Sequence, residues 1–300
     1  MDEKLIIAKT ILITGGTGFL GSNLLRRLIL NKYKVILLKR SYSNTHRIDD
    51  VLSNVKYYNI DQVDLSVVFK DQPIDVVLHC ATDYGRKQSL PLQVIEANLI
   101  LPLKLLELGK ENKVKCFINT DTILDKRVSH YSLSKAQFID WLKTYQDDIV
   151  CVNMALEHFY GPGDDKTKFV SNIFDSLLNK VKSINLTKGE QQRDFVYIDD
   201  VVDAFMLVIK NLTNNADGFF HYEIGTNKLI SIRWLVETIK ELSNNHVTEL
   251  NFGALPYREN EVMQSVSDTI AIKHLGWVPN YDIKRGLEKM LLIERNKKII

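Results

Sequence analysis

In 300 residues, 39 Lys and Arg face 37 Asp and Glu, a formal charge of +2. That near balance, with no basic stripe, excludes nucleic acid and charged membrane surfaces as expected partners. The length suits one large α/β domain or two interlocked lobes with ample core. The N-terminus, MDEKLIIAK, lacks the long apolar region of a signal peptide, and no apolar run approaches the ~20 residues that span a bilayer. Cys80, Cys116 and Cys151 sit in strand-like apolar contexts and are odd in number, which reads as free buried thiols of a cytoplasmic protein. No metal-ligand spacing is present, so no metal site is expected.

The stretch TILITGGTGFLG at 10–21 organises the chain. Ile11, Leu12 and Ile13 form the apolar run of a fully buried parallel strand. Gly15, Gly18 and Gly21 follow three apart. Phe19, Leu20, Leu24, Leu25 and Leu28 then recur at helical spacing. Strand, glycine turn and helix are the opening of a dinucleotide-binding unit. Gly15 permits the turn, Gly18 lets backbone approach a pyrophosphate, and Gly21 lets the helix pack on the strand. Thr17, Phe19 and Leu20 share that cofactor loop. The helix N-terminus offers free N–H groups and a positive dipole end.

KVILLK at 34–39 predicts the second strand. An acidic residue at its end usually holds the ribose 2′-hydroxyl of NAD. Here Lys39, Arg40 and Ser41 stand there, with Arg47 soon after. Two cations and a hydroxyl suit a 2′-phosphate, so NADPH is the expected cofactor and NADH the lesser one. The competing reading is ordinary solvated loop charge. Residues 55–60 predict a third strand, and Asp61 at its end can accept from an adenine amine. Residues 74–80 predict a fourth, followed by Ala81, small enough for backbone to run close to the cofactor. His79 reads as a core histidine. Residues 91–112 have helical periodicity, with Asn98 placed to bond backbone near the site. Residues 113–119 predict a fifth strand ending at Thr120-Asp121-Thr122.

HYSLSKAQFIDWLKTY at 130–145 predicts a helix on which Tyr131 and Lys135, four apart, share a face. Residues 149–155 predict a sixth strand. Beyond it, 156–165 reads as a turn-rich crossing, Phe169–Leu178 as a helix, and 189–198 as a loop entering a helix capped by Asp199 or Asp200. Phe219–Ile224 reads as a strand, Ile232–Leu242 as a helix and 252–261 as an irregular loop. LGWVP and a last helix close the chain. The expected fold is α/β, a Rossmann-type doubly wound parallel sheet with a smaller C-terminal α/β lobe. Residues 1–155, joined by roughly 199–224, form the dinucleotide-binding lobe; 156–198 and 225–300 form the second.

TGGTGFLG, Tyr131-x-x-x-Lys135 and Thr120 together resemble the extended short-chain dehydrogenase/reductase family, over essentially the whole chain. HFYGPGD and RDFVYIDD resemble its sugar-nucleotide branch. CATDYGRK, NTDT, LEHFYGPGDDKTKFV, TKGEQQRDFVYIDDVV, FGALPYRENEVM and LGWVPNYD are similar to members that reduce the carbon-4 ketone of CDP-4-dehydro-3,6-dideoxy-D-glucose with NADPH, for bacterial O-antigen. The resemblance makes the second lobe the sugar-nucleotide-binding one.

It also implies roles. Tyr131 is the general acid toward the developing alkoxide, and the ammonium of Lys135 favours its phenolate and lowers its pKa. Lys135 also holds the nicotinamide ribose. Thr120 polarises the substrate carbonyl. Arg193 and Arg258 contact the diphosphate. Tyr84, Arg86, Thr122, His158 and Phe169 are further substrate contacts. The branch's 4,6-dehydratases carry Glu at the position of Thr122, and the enzymes that make GDP-fucose carry Cys. Thr122 does neither job, which implies plain keto reduction. A 4-epimerase resembles the chain here too and would hold NAD tightly; a non-catalytic NADP-binding regulator is the third reading. The resemblance further implies a homodimer through helices at 91–112 and 131–145. Three departures stand out: a short spacing from Thr120 to Tyr131, Ala155 where many relatives have Arg, and His158 in place of Asn.

Overall fold

The computed structural model describes residues 9–86, 89–212, 217–259 and 261–297. The N-terminal stretch read against a leader and parts of two quoted motifs, at 87 and 260, lie outside the described residues. In chain order the first elements are β1 (Thr10–Thr14), α1 (Phe19–Leu30), β2 (Lys34–Lys39), β3 (Lys56–Asn59), α2 (Leu65–Asp71), β4 (Val76–His79), α3 (Pro91–Ile95), α4 (Leu101–Glu111), β5 (Cys116–Thr122), α5 (His130–Lys143) and β6 (Val150–Leu156). Then come β7 (His158–Tyr160), α6 (Phe169–Leu178), β8 (Ser183–Leu186), β9 (Gln192–Tyr197), α7 (Ile198–Leu212), β10 (Phe219–Ile224), β11 (Leu229–Ser231), α8 (Ile232–Leu242), β12 (Glu249–Phe252), α9 (Ile270–His274) and α10 (Ile283–Lys297).

Contacts divide the chain into two compact units, Met1–Ala155 with Val202–Tyr222, and Leu156–Val201 with Glu223–Ile300. The first is built on a seven-stranded sheet of order β10-β6-β5-β4-β1-β2-β3. The pairs β1–β2, β1–β4, β2–β3 and β4–β5 are parallel. Every residue of β1 is buried, because a central parallel strand is covered on both faces. α1 buries Leu20, Leu24, Leu25 and Leu28, the stripe its spacing predicts. Phe117, Phe138, Leu105, Leu106 and Leu142 pack with Leu12 and Ile36 in the core. Strand order reverses at β1, so the carboxyl ends of β1 and β4 flank the switch point where doubly wound sheets bind ligands. The Rossmann-type α/β fold expected from the sequence is the fold observed.

The second unit holds the three-stranded sheet β11-β9-β7 and the parallel pair β12–β8. β9 runs parallel to β7 and antiparallel to β11. Asp194, in β9, is buried and accepts from the Asn227 amide at 2.7 Å and from the Thr226 hydroxyl, which fixes the turn into β11.

Several boundaries differ from the sequence reading. Residues 189–198 are not simply a loop, since β9 occupies Gln192–Tyr197. The last four residues of β9 are all buried, so no alternation marks the strand. Neither Asp199 nor Asp200 caps the helix, which begins at Ile198. Asp200 instead accepts from the amides of Asn280 and Tyr281 at 2.8 and 3.0 Å, and Asp199 pairs with Lys289 at 2.8 Å. β7 lies inside the supposed crossing at 156–165. The 91–112 helix is broken by a wide π turn at Glu96–Ile100. β5 continues through Thr122, so Thr120 lies within the strand rather than past its end.

Candidate active site

The glycine loop has the form the sequence called for. Gly15 has φ +68, and a Cβ there would lie 2.5 Å from the Ala81 nitrogen. A Cβ on Gly21 would lie 2.1 Å from the Gly15 oxygen. Gly18 caps α1 and is exposed; an added Cβ meets only the Gly15 oxygen, at 3.2 Å. The loop is thus closed on its sheet side and open at the helix N-terminus, a cradle that fits a pyrophosphate. Thr17 is half-buried beside it and Leu20 is buried beneath. The Phe19 carbonyl accepts from Ser22 and Asn23 side chains at 3.0 and 2.8 Å.

Thr14 ties β1 to β4. Its hydroxyl oxygen accepts from the Cys80 and Ala81 amides at 3.2 and 3.1 Å, and its proton faces His79 Nδ1 at 2.9 Å. With both lone pairs engaged, the hydroxyl donates to Nδ1, which puts the imidazole proton on Nε2. Among the described residues Nε2 has no hydrogen-bond partner, and the rings of Phe117 and Phe138 lie 6.4 and 6.2 Å away. Burial holds His79 neutral, well below the ordinary imidazole range.

At the end of β2, Lys39 donates to Asn59 at 2.9 Å and lies over the Tyr57 ring at 4.8 Å. The Arg40 guanidinium stacks over Tyr42 at 5.9 Å. The Arg47 carbonyl accepts from Arg26 at 2.6 Å. Asp61 accepts from the amide of Ser41 at 2.7 Å and also from its hydroxyl, and those bonds hold its carboxyl below the usual carboxylate range. The Ser41 hydroxyl expected for a 2′-phosphate is therefore committed to a carboxylate, as is the Ser41 amide.

Thr120, Thr122, Tyr131, Lys135, Tyr84 and Arg86 gather around β5 and the first turns of α5. Ser129 starts that helix, accepting from the Ser132 amide at 3.2 Å while the Ser132 hydroxyl oxygen accepts from the Ser129 amide at 3.2 Å. Tyr131 lies in the first turn, with its ring 5.0 Å from that of Tyr84, over which the Arg86 guanidinium stacks at 5.4 Å. Lys135, one turn later, is fully buried and donates to the Thr120 carbonyl at 2.7 Å. Burial pushes its pKa down to about 8, against the pull of Asp121 and Cys80.

One expectation changes here. Lys135 was expected to lower the Tyr131 pKa, but burial pushes that phenol well above its ordinary value, with Tyr84 and Asp121 adding to the rise. The opposing influences are a Thr122 hydrogen bond and Arg86. The Thr122 hydroxyl accepts from the Leu124 amide at 3.2 Å, whereas the Thr120 hydroxyl donates to Cys80 Sγ at 3.4 Å. Asn98 bonds backbone near the site, as its place in the sequence predicts. Its oxygen accepts from the Asp83 amide at 2.8 Å, and its two amide protons go to the Asp83 carbonyl at 2.8 Å and Ser134 at 3.1 Å. It braces the 81–86 loop against α5, and the π turn is what carries it there.

His158, Phe169, Arg193 and Arg258 belong to the second unit. His158 Nδ1 donates to the buried carboxylate of Glu157 at 3.1 Å, and Glu157 also accepts from Ser265 at 2.9 Å. Arg193 donates to Glu261 at 2.7 Å in a pair only 11% and 17% exposed. Arg258 and Phe169 are exposed.

The sequence reading missed Cys80, Ser134, Glu157 and Glu261, and also the buried Asp121 with its partner Lys126. Only the last pair had a signal, the short spacing from Thr120 to Tyr131. Among the described residues no cluster suits a metal ion, and no helix is long and apolar enough to cross a membrane.

The NAD dependent epimerase/dehydratase family model matches residues 11–225. CDP-abequose synthase of Salmonella typhimurium is 34% identical over 292 residues, covering 94% of this chain and 97% of that protein. The CDP-abequose synthase of Salmonella muenchen is also 34% identical, covering 95% and 98%. In fold, the chain is similar to a crystal structure of UDP-glucose 4-epimerase with UDP-glucose from Thermotoga maritima, with TM-score 0.84 and 24% identity over 96% of this chain and 99% of that one.

Proposed function

The chain belongs to the NAD dependent epimerase/dehydratase family, and from that premise we propose that it is an NADPH-dependent reductase. Its substrate on this reading is a nucleotide-linked deoxysugar bearing a carbon-4 ketone, CDP-4-dehydro-3,6-dideoxy-D-glucose, and its product is CDP-abequose or CDP-paratose. The observation that carries the reading is the 34% identity to a CDP-abequose synthase along nearly the full length of both chains. The first unit holds the dinucleotide, with its pyrophosphate at Gly15–Gly18–Gly21, and the second holds the sugar nucleotide, with Arg193 and Arg258 on the diphosphate. The reaction belongs to cytoplasmic synthesis of a surface polysaccharide such as O-antigen.

A bound nicotinamide supplies the hydride. Tyr131 gives a proton to the developing alkoxide, and burial keeps its phenol protonated until that moment. Thr122 orients the phenol. The Thr120 hydroxyl leaves a weak acceptor, the Cys80 sulfur, to donate to the substrate carbonyl. Lys135, anchored on the Thr120 carbonyl, fixes the strand against the helix and brings positive charge to the site. Leu92, Leu133 and Trp141 are 73%, 47% and 49% exposed on α3 and α5, which supports a homodimer through those helices.

One observation favours a second reading, an NDP-sugar 4-epimerase that keeps NAD bound. The Asp61 carboxylate takes the Ser41 hydroxyl on which the 2′-phosphate reading relies. The test is to mix the purified protein with NADPH and CDP-4-dehydro-3,6-dideoxy-D-glucose and follow nicotinamide absorbance. Loss of signal supports the reductase, and product NMR then assigns carbon 4. Reduction only of dTDP- or GDP-linked 4-keto sugars discards the nucleotide and keeps the mechanism. No reduction, with NAD carried through purification, moves the assignment to the epimerase.

A further inference from the structure

The connection from β5 to α5, residues 123–129, is short, and one side chain crosses it. Lys126 donates to both oxygens of Asp121 at 3.0 Å and to the Thr122 carbonyl at 2.6 Å. The Asp121 carboxylate is 1% exposed and Lys126 is 35% exposed. Asp121 also accepts from Asn153 at 3.2 Å, and Asn153 in turn accepts from Asn119 at 2.7 Å. The rest of the loop is held by local bonds: the Thr122 hydroxyl takes the Leu124 amide, and Asp125 pairs with Arg127 at 2.6 Å. Three bonds from one ammonium therefore join the loop to the end of the strand that carries Thr120 and Thr122.

A buried carboxylate without a partner is costly and projects its field over several ångströms of low-dielectric interior. Asp121 acts electrostatically on both Tyr131 and Lys135, and Lys126 acts on Lys135 in the opposite sense. The other titratable or charged groups acting on the pair are His79 at the end of β4, and Cys80, Tyr84 and Arg86 from the loop after it.

We propose that Lys126 is a positioning residue: it staples the short loop that delivers Tyr131 to β5 and neutralises the buried Asp121 carboxylate beside the Tyr131–Lys135 pair. The proposal rests on the catalytic reading of that pair but concerns a residue outside it. Without Lys126, Asp121 is an unscreened anion. It then holds the phenol proton more tightly and the lysine ammonium more firmly, and the loop that sets the entry of α5 is released.

The test follows Lys135 directly, by NMR titration of ¹³Cε-lysine-labelled full-length protein. In Lys126→Met, the Lys135 midpoint should rise by about one unit. Lys126→Arg should leave it in place, and adding Asp121→Asn to Lys126→Met should bring it back, because both charges are then gone. If Lys126→Met does not fold, Lys126→Gln is read in its place. An unmoved Lys135 midpoint in the uncharged variant overturns the proposal. Turnover is read in parallel: kcat should fall roughly tenfold in Lys126→Met, its basic limb should move up, and Arg should rescue both. Normal turnover with an unmoved midpoint sinks Lys126 and leaves the reductase reading intact. A wild-type protein that reduces no keto sugar sinks the reductase reading, while the Lys135 titration still decides on Lys126.

Discussion

The ammonium of Lys135 donates to the carbonyl oxygen of Thr120 across 2.7 Å, joining the helix that carries Tyr131 to the strand that carries both threonines. The bond is made by a lysine with 1% exposure, and burial lowers its pKa from 10.5 to about 8. Below about pH 8, folded and unfolded chains both hold this proton. Between that value and 10.5 the unfolded chain binds a proton that the folded chain has released. Stability contributed by this group therefore rises with pH across the window. On the proposed catalytic reading, activity runs the other way, since the ammonium is lost. Turnover by the free enzyme is expected to decline above about pH 8, while the urea midpoint, referenced to Lys135→Met, increases. A difference between the two proteins that is flat from about pH 7 to about pH 10 contradicts this assignment.

The two threonine hydroxyls have separate partners, the Cys80 sulfur for Thr120 and the Leu124 amide for Thr122. Tyr131→Phe should remove most turnover, roughly 10²–10⁴-fold, with NADPH affinity nearly unchanged. Thr120→Val should cost kcat on the order of 10²-fold, as loss of a donor to the developing oxyanion does. Thr122→Val should cost less, on the order of 10-fold, if its proposed role is only to orient the phenol. Steady-state kinetics of the three variants rank them. Comparable turnover by Tyr131→Phe removes the general-acid assignment, and a larger loss from Thr122→Val than from Thr120→Val exchanges the threonine roles.

How far the sequence could be read depended on whether a residue's partner was local. The glycine loop, α1 and the Tyr131–Lys135 face are written in short-range spacing, and each appears where that spacing put it. β9 was missed because Asp194 looks polar in sequence, while the bonds that make it a core residue come from Thr226 and Asn227, more than thirty positions away. Asp200 resembled a helix cap for the same reason, and its actual partners lie at 280 and 281. The rise of the Tyr131 pKa comes from burial and from Tyr84 and Asp121, which no helical spacing announces. Ser41 could be named as a donor, but its capture by Asp61 required β2 and β3 to be set side by side.

On the proposed reading, that capture sets Lys39 and Arg40 against Asp61 in cofactor preference. Lys39→Asp combined with Arg40→Ala should move preference toward NADH. Asp61→Asn removes the anion without removing the side chain, so it should raise the NADPH/NADH ratio of kcat/KM by roughly tenfold, as expected for about 1.4 kcal/mol of relieved repulsion. Kinetics with both cofactors give the ratio. If neither variant changes it, the ends of β2 and β3 do not face the adenosine ribose.

Arg193 and Glu261 form a pair buried enough that stability and substrate recognition can be separated by experiment. Removing one partner leaves an uncompensated charge, which typically costs about 3–5 kcal/mol, whereas replacing both by apolar groups is often close to neutral. Arg193→Met should lower the denaturation midpoint markedly. Arg193→Met with Glu261→Met should recover most of that loss. If the guanidinium also serves the substrate diphosphate, the double variant stays folded yet keeps a high KM for the sugar nucleotide, since a methionine offers no donor. Glu261→Gln weakens the internal competitor for the guanidinium, so its KM should fall while kcat stays level. A double variant that is both stable and normal in KM would reduce Arg193 to a structural residue and leave the diphosphate to Arg258.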